Sequence, residues 1–278
     1  MLNLKVETKK IIKKIYSPSY SLFLKINKLR FKRAVKKEEI ELRDINEIYS
    51  VFYFKELKLS YNQIKKSGNS NIFILIQSIL LDNDYPTPSK FGELKEYIPA
   101  KMIKKFRVIG RTRINRQSVN SIMNSFKFTF VRNPYVRAVS MFRDRILKEK
   151  FVTTELDNIT DDKIGFLRFV EYLEHGGLQK DSHFKSQTNH LFFKIKDFDF
   201  IGKLEAFEKD FNSVIRYNNM QISENTKRII NNRQNTRHVT NSSTHYQKYY
   251  DNFIAEKVYN LYKDDFSNFS YSKEYFDE

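Results

Sequence analysis

The chain has 278 residues, 40% of them hydrophobic, so it can bury a sizeable core as one large domain or two small ones. It contains no cysteine, which excludes disulfide bonds and thiolate metal sites, and no run of 18 apolar residues that would form a conventional membrane span. Its first twenty residues also lack the apolar core of a secretory signal peptide.

The net charge of +17 is concentrated at the start of the chain. Residues 1–37 hold twelve Lys or Arg and one acid, Glu7, and so carry +11, while the other 241 residues carry +6. We therefore assign residues 1–50 to a basic, amphipathic helical N-terminal extension and residues 51–278 to the main domain. In the stretch "SLFLKINKLRFKRAVKK", apolar residues recur near helical spacing: Leu22, Ile26, Leu29 and Val35.

A segment of this kind has three interpretations. It can be a solvated helix or an arm packed on the main domain, it can lie on an anionic membrane surface, or it can contact nucleic acid. The sequence favours the first interpretation over membrane contact, and both over nucleic acid.

Beyond this segment, the pattern predicts strands that alternate with helices. The predicted elements are a strand at Leu57–Ile64, a helix at Asn71–Leu81, a loop around Pro86 and Pro88, a strand at Lys127–Val131, a helix from Pro134 to about Lys148, a helical connection over 151–180, a strand at Asp197–Lys203, a helix at Leu204–Tyr217, an irregular polar stretch at 231–245 and a helix at Tyr246–Phe266. The last helix is predicted to bury one face: Tyr246, Tyr250, Phe253, Val258, Leu261 and Tyr262.

This alternation indicates an α/β fold with a central parallel sheet flanked by helices. Ligands bind such sheets beyond the carboxyl ends of the strands. We expect three strand-to-helix junctions to gather there: Lys65–Asn71, Arg132–Pro134 and Gly202–Glu205.

The first junction, "IKKSGNSNIF", has features of a phosphate-binding turn. Gly68 allows a tight turn, Ser70 or Asn71 can cap the helix, and Lys66 adds a positive charge to the N–H groups of a helix start. The motif GxxxxGK[ST] is absent, and a plain loop with a cap remains an alternative.

At the second junction, Asn133 is suited to the N-cap position and Pro134 to the first helical position. Arg132 ends the strand, where its planar fork can bind a phosphate; pairing with a carboxylate such as Asp144 is equally consistent with the spacing. One helix stripe is predicted to be buried: Tyr135, Val139, Phe142 and Ile146.

A polar loop, "DSHFKSQTNHL", contains Asp181, His183 and Gln187. His183 could act as a general base, although a lone histidine is more often structural or simply exposed. The remaining histidines do not cluster, so no metal site is predicted.

Together and in this order, these segments resemble the carbohydrate sulfotransferase family, often called sulfotransferase family 2, over roughly residues 57–271. "FTFVRNPYVRAVSMFRDR" is similar to the family's 3′-phosphate motif and "IKKSGNSNIF" to its 5′-phosphosulfate motif, with Lys65 at a usual proline and Asn69 at a Cys or Ser position. Three further segments are similar to family segments. The first is "DSHFKSQTNHL", with Ser186 in place of a proline, and the others are "DFDFIGKLEAFEKDF" and the C-terminal "NSSTHYQKYYDNFIAEKVYNLYKDDFSNFSY".

The resemblance implies a P-loop nucleotide-kinase-like fold and sulfuryl transfer from 3′-phosphoadenosine-5′-phosphosulfate (PAPS) to a sugar hydroxyl, without a metal. It places Arg132 and Ser140 at the 3′-phosphate. The 5′-phosphosulfate segment is Lys66, Ser67, Gly68, Asn69, Ser70 and Asn71.

In the reaction, Lys66 is expected to stabilise the negative charge that develops on the oxygen bridging sulfur and phosphorus in PAPS. His183 is the first candidate for the base, and Glu205 the second, although Glu205 could equally serve the helix dipole.

No signal anchor is seen in the sequence, unlike in animal Golgi members of the family, and this favours a cytoplasmic bacterial enzyme acting on a cell-surface glycan or its precursor. Peripheral contact between residues 1–37 and the inner membrane is a further expectation. Alternatives are sulfation of a non-sugar hydroxyl, a kinase-like phosphotransferase, an inactive relative and a basic nucleic-acid-binding protein. A kinase would need a magnesium site and a fuller phosphate loop, and the charge outside residues 1–37 is too small to favour nucleic acid.

Overall fold

The computed structural model describes residues 18–37, 41–81, 107–108, 116–231 and 246–274. Five strands form one sheet in the order β3-β1-β2-β4-β5. They are β1 (Val51–Phe54), β2 (Leu59–Asn62), β3 (Arg107–Val108), β4 (Phe126–Val131) and β5 (Phe200–Lys203). The described helices are α1 (Pro18–Lys37), α2 (Asn69–Leu81), α3 (Arg116–Met123), α4 (Pro134–Met141), α5 (Lys163–Glu174), α6 (Phe207–Tyr217), α7 (Glu224–Asn231), α8 (Asn252–Leu261) and α9 (Lys263–Asn268).

The predicted α/β fold is confirmed, and the sheet is mixed. β2, β4 and β5 run parallel, and β1 pairs antiparallel with both β2 and β3. Only four residues separate β1 from β2, and so short a connection can join only antiparallel strands. The sequence pattern missed β1, β3, α3 and α7, which are short elements.

Helices cover both faces of the sheet. On one face, Phe128 and Phe130 of β4 lie in one cluster with Ile72 of α2 and Phe211 of α6. On the other face, Tyr53 of β1 lies in a cluster with Val119 of α3. A third cluster, built around α4, α5 and α8, contains the predicted stripe of α4: Tyr135, Val139, Phe142 and Ile146.

Several predicted boundaries differ from the structure, most clearly in two helices. α4 ends at Met141 and continues as a π-helical turn, Phe142–Ile146. The predicted last helix divides into a 3-10 turn, α8 and α9. Phe253, which was expected on the buried face, is 60% exposed. Because α8 begins at Asn252, helical spacing counted from Tyr250 does not continue into it, and Ile254 and Val258 form the inner face instead.

Several predicted features lie outside the described residues. They are the loop around Pro86 and Pro88, the stretch 232–245, and residues 1–17 of the basic extension. Among the described residues, no helix is long and apolar enough to cross a lipid bilayer.

Candidate active site

The turn after β2 takes a left-handed path before α2 begins. Lys66 has a φ of 67° and Gly68 a φ of 80°, and α2 starts at Asn69, two residues before the predicted start. The N–H of Asn71 donates to the Gly68 carbonyl at 3.0 Å. Within the described residues, the N–H groups of Gly68, Asn69 and Ser70 make no hydrogen bond. The helix start therefore has donors available for an anion.

The side chains of this turn have protein partners. The Ser67 hydroxyl donates to Gln187 Oε1 at 3.0 Å, and Asn69 Oδ1 accepts a hydrogen bond from the Tyr61 hydroxyl at 2.5 Å. These contacts fix the turn from two sides and leave its backbone N–H groups facing a possible ligand.

Lys66 lies against the helix that follows β4. Its side chain is 15% exposed, and Nζ is 3.0 Å from Asp144 Oδ2, while Asp144 Oδ1 accepts from Lys150 Nζ at 2.6 Å. Burial lowers the Lys66 pKa, the Asp144 carboxylate raises it, and the charge of Arg132 lowers it again. The two predicted phosphate-binding cations thus lie within electrostatic range of each other. Asp144, considered above as a partner for Arg132, forms its ion pairs with lysines.

Arg132 follows β4 directly and is 7% exposed. The next residue is the predicted N-cap: Asn133 Oδ1 accepts from the Tyr135 N–H at 2.9 Å, and Pro134 opens α4. Ser140, the seventh residue of α4, is 2% exposed, and its hydroxyl makes no hydrogen bond within the described residues. The end of β4 and the capped start of α4 therefore hold the Arg132 backbone from both sides. The Ser140 hydroxyl can donate a hydrogen bond to a ligand.

Gln187 connects the two junctions. Its Oε1 accepts from the Arg132 N–H at 2.8 Å as well as from Ser67, and its Nε2 donates to the Arg132 carbonyl at 2.8 Å. The backbone N–H groups of Gln187 and Thr188 both donate to the buried carboxylate of Asp265. Burial raises the pKa of Asp265, and the charge of Arg137 opposes that effect.

Arg137 is 1% exposed and serves the backbone of the site. It donates to the carbonyl oxygens of Lys65, His183 and Lys185, at 3.0, 3.3 and 2.8 Å. This one guanidinium therefore holds the loop of His183 beside the turn of Lys66.

His183 has the surroundings of an oriented base. Its Nδ1 is 2.7 Å from Asp181 Oδ1, and Arg145 Nε donates to Asp181 Oδ2 at 2.9 Å. Because an ionised carboxylate only accepts hydrogen bonds, Nδ1 carries the proton and Nε2 keeps its lone pair. Burial lowers the His183 pKa, and Asp181 opposes this shift. The effect of burial is the larger one, so the net shift favours the neutral ring, which is the form able to take a proton.

Glu205 is engaged with the protein. Its Oε1 accepts from the Asn133 N–H at 2.8 Å, and its Oε2 accepts from the Tyr271 hydroxyl at 3.0 Å. Burial and the Glu205 charge raise the Tyr271 pKa, so the phenol stays protonated and keeps donating. This carboxylate therefore supports the start of α4.

Sequence reasoning missed the connecting roles of Gln187, Asp265 and Arg137. Gln187 and Asp265 are 78 residues apart, so spacing could not pair them. The available signal was a glutamine in the same polar loop as His183, and Asp265 gave none because its segment, KDDFSN, is polar throughout except for Phe266. Within the described residues, no group of three or more His, Asp or Glu side chains could hold a metal ion.

Comparisons with known proteins match most of the chain to one family. A model described as "Sulfotransferase family" matches residues 49–272. Carbohydrate sulfotransferase 8 of Mus musculus is 26% identical over a match that covers 59% of this chain and 44% of that protein. Carbohydrate sulfotransferase 11 of Rattus norvegicus is also 26% identical, over 55% of this chain and 49% of that protein. The chain thus spans about half the length of these curated relatives, and no solved structure gave a significant match.

Proposed function

The chain belongs to the sulfotransferase family, and we propose that it transfers a sulfuryl group from PAPS to a hydroxyl of a carbohydrate, releasing adenosine 3′,5′-bisphosphate. One observation carries the proposal. Two cationic strand-to-helix junctions, at Lys66 and Arg132, lie side by side at the carboxyl ends of the parallel strands β2 and β4, joined by Gln187.

The residues present suit a donor whose negative charge lies in two clusters. The N–H groups of Gly68, Asn69 and Ser70, together with Lys66, would hold the 5′-phosphosulfate. Arg132 and the Ser140 hydroxyl would hold the 3′-phosphate. PAPS, when bound, would supply the sulfuryl group, and its adenosine 3′,5′-bisphosphate part would be the leaving group.

The protein's own groups would then act by position and charge. Lys66, largely shielded from water, would stabilise negative charge developing next to it. His183 Nε2 would accept the proton of the acceptor hydroxyl, while Asp181 holds the ring and stabilises the imidazolium that forms. Glu205 would keep the start of α4 in place and is not assigned the base role.

The acceptor is proposed as a carbohydrate because both relatives named above are carbohydrate sulfotransferases. We further propose a bacterial cell-surface glycan or its precursor as acceptor and the cytoplasm as the place of reaction.

The test is transfer of labelled sulfate from PAPS to a panel of glycans, together with calorimetric binding of adenosine 3′,5′-bisphosphate. We expect transfer to at least one glycan and saturable binding of the bisphosphate. Transfer only to a phenol or other non-sugar hydroxyl would replace the carbohydrate assignment. Absence of both transfer and bisphosphate binding would overturn the proposal.

A further inference from the structure

Helix α1 presents two different faces. Its inner face packs on the domain: Phe31 is fully buried and Val35 is 7% exposed, in one cluster with Val51 of β1. Successive helical residues turn by about 100°, so Leu22, Ile26 and Leu29 lie on the side opposite Phe31. The packing of the inner face fixes which side of the helix points away from the domain.

The outer face of α1 is exposed to solvent but carries apolar side chains. Leu22 is 58% exposed, Ile26 40% and Leu29 56%. Among the described residues, other large apolar side chains with comparable exposure lie singly in the fold: Val152, Ile164, Tyr217 and Phe253. Scattered exposed side chains are ordinary, but three on one helical stripe need a partner.

Cations surround this stripe. Residues 18–37 contain seven Lys or Arg and no acid. The cations whose side chains are exposed are Lys25, Arg30, Lys32, Arg33 and Lys36. Lys28 instead donates to Asn46 of the domain at 2.5 Å. On the helical wheel, Lys25 and Arg33 lie within about 60° of Leu22, directly beside the apolar stripe.

We propose that the outer face of α1 docks on an anionic lipid surface, with Leu22, Ile26 and Leu29 entering the boundary between headgroups and acyl chains. The flanking cations meet the lipid phosphates. Charge alone would also suit nucleic acid, but phosphate contacts gain nothing from three aliphatic side chains, whereas a bilayer takes up both parts of this face. This inference stands independently of the sulfuryl-transfer proposal.

The experiment uses the full chain and two kinds of vesicle, phosphatidylcholine alone and phosphatidylcholine mixed with phosphatidylglycerol, in a flotation assay. We expect binding to the anionic vesicles that weakens as salt rises. The triple variant Leu22→Ser, Ile26→Ser, Leu29→Ser keeps every charge and should bind at least about tenfold more weakly. The variant Lys25→Gln, Arg33→Gln should lose about tenfold on anionic vesicles only.

A matched control removes three exposed apolar side chains elsewhere: Val152→Ser, Ile164→Ser and Phe253→Ser. It should bind vesicles like the wild type. Both triple variants should bind adenosine 3′,5′-bisphosphate normally, which separates this inference from the donor site. Three results would overturn it: no wild-type binding to anionic vesicles, equal binding by the α1 variant, or binding to duplex DNA that depends on the three α1 side chains.

Discussion

The side-chain amide of Gln187 is hydrogen-bonded to both backbone groups of Arg132: Oε1 accepts from the N–H and Nε2 donates to the carbonyl, each at 2.8 Å. An amide is suited to this role because it supplies one acceptor and one donor on adjacent atoms. The same Oε1 accepts from the Ser67 hydroxyl. One buried side chain thus sets the relative position of the two proposed anion-binding segments.

Replacing Gln187 with methionine should therefore weaken both stability and donor binding. Methionine keeps the side-chain length but leaves the Arg132 backbone and the Ser67 hydroxyl buried without partners, at about 1–3 kcal/mol per group. We expect the free energy of unfolding to fall by roughly 2–4 kcal/mol. This is less than the sum over the three groups, because the groups that lose Gln187 relax and recover part of the loss. The affinity for adenosine 3′,5′-bisphosphate should fall at least tenfold.

Urea unfolding and titration calorimetry measure the two effects. Asn189→Ala is the matched control, because this exposed side chain lies two residues away in the same loop. Unchanged bisphosphate affinity in Gln187→Met would show that the connection does not position the donor site.

The sequence predicted the parts of this site but not the contacts between them. Arg132 at a strand end, Asn133 as an N-cap and the helix start near Asn71 are local patterns, and all three are present. Such features depend on a few neighbouring residues, whose backbone preferences act at short range.

The long-range contacts could not be read from spacing. Asp144 pairs with Lys66, 78 positions earlier in the chain, and Gln187 reaches Ser67 across 120 residues. β1 was missed because four residues give little periodicity, and Phe253 was misplaced because a helix start lies between it and Tyr250. The second error comes from extending a local pattern past an element boundary.

Lys66→Ala tests the electrostatic role of Lys66. If this cation stabilises developing charge in a site shielded from water, its loss should lower kcat by about 10²–10³-fold. Lys55→Ala, at the exposed turn between β1 and β2, is the control and should change kcat little. Single-turnover transfer from PAPS gives the comparison, and near-normal turnover in Lys66→Ala would contradict the assignment.

Asp144→Asn should move the basic side of the pH–rate profile. Asp144 raises the Lys66 pKa against the effect of burial, so removing its charge lowers that pKa. Lys66 then loses its proton at a lower pH, and the rate should begin to fall at a lower pH than in the wild type. An unshifted or upward-shifted basic limb would show that Lys66 protonation does not control the rate.

The acid side of the same profile tests His183. Burial holds its pKa below the ordinary 6.5, so the rate should fall with decreasing pH only below that value, as the base becomes protonated. Asp181→Asn removes the charge that raises this pKa and should move the acid limb further down, with a lower plateau because the ring loses its orientation.

Arg145→Gln should move the acid limb of the pH–rate profile in the direction opposite to Asp181→Asn. The Arg145 charge lowers the His183 pKa, so its removal raises that pKa and moves the acid limb up. Ser182→Ala changes an exposed neighbour and serves as the control. If both charge variants leave the acid limb in place, His183 is not the base.

Gly68→Ala tests the tight turn that presents the N–H groups. Gly68 has a φ of 80°, and a Cβ atom there would lie 2.5 Å from Leu204 Cδ1. Gly176 is the matched control, since its φ of 100° is also left-handed but a Cβ atom would meet nothing within 4 Å. Both alanine variants carry backbone strain of about 1–2 kcal/mol, and only Gly68→Ala adds the contact.

The expected difference between these glycine variants is one of function as well as stability. Gly68→Ala must displace either Leu204 or the turn, so it should lower the affinity for adenosine 3′,5′-bisphosphate by about tenfold or more, while Gly176→Ala leaves it unchanged. Because Leu204 Cδ1 is the end of a flexible side chain, adding Leu204→Ala to Gly68→Ala should restore part of that affinity. If Gly68→Ala binds the bisphosphate as well as Gly176→Ala does, the close approach of Leu204 does not shape the donor site.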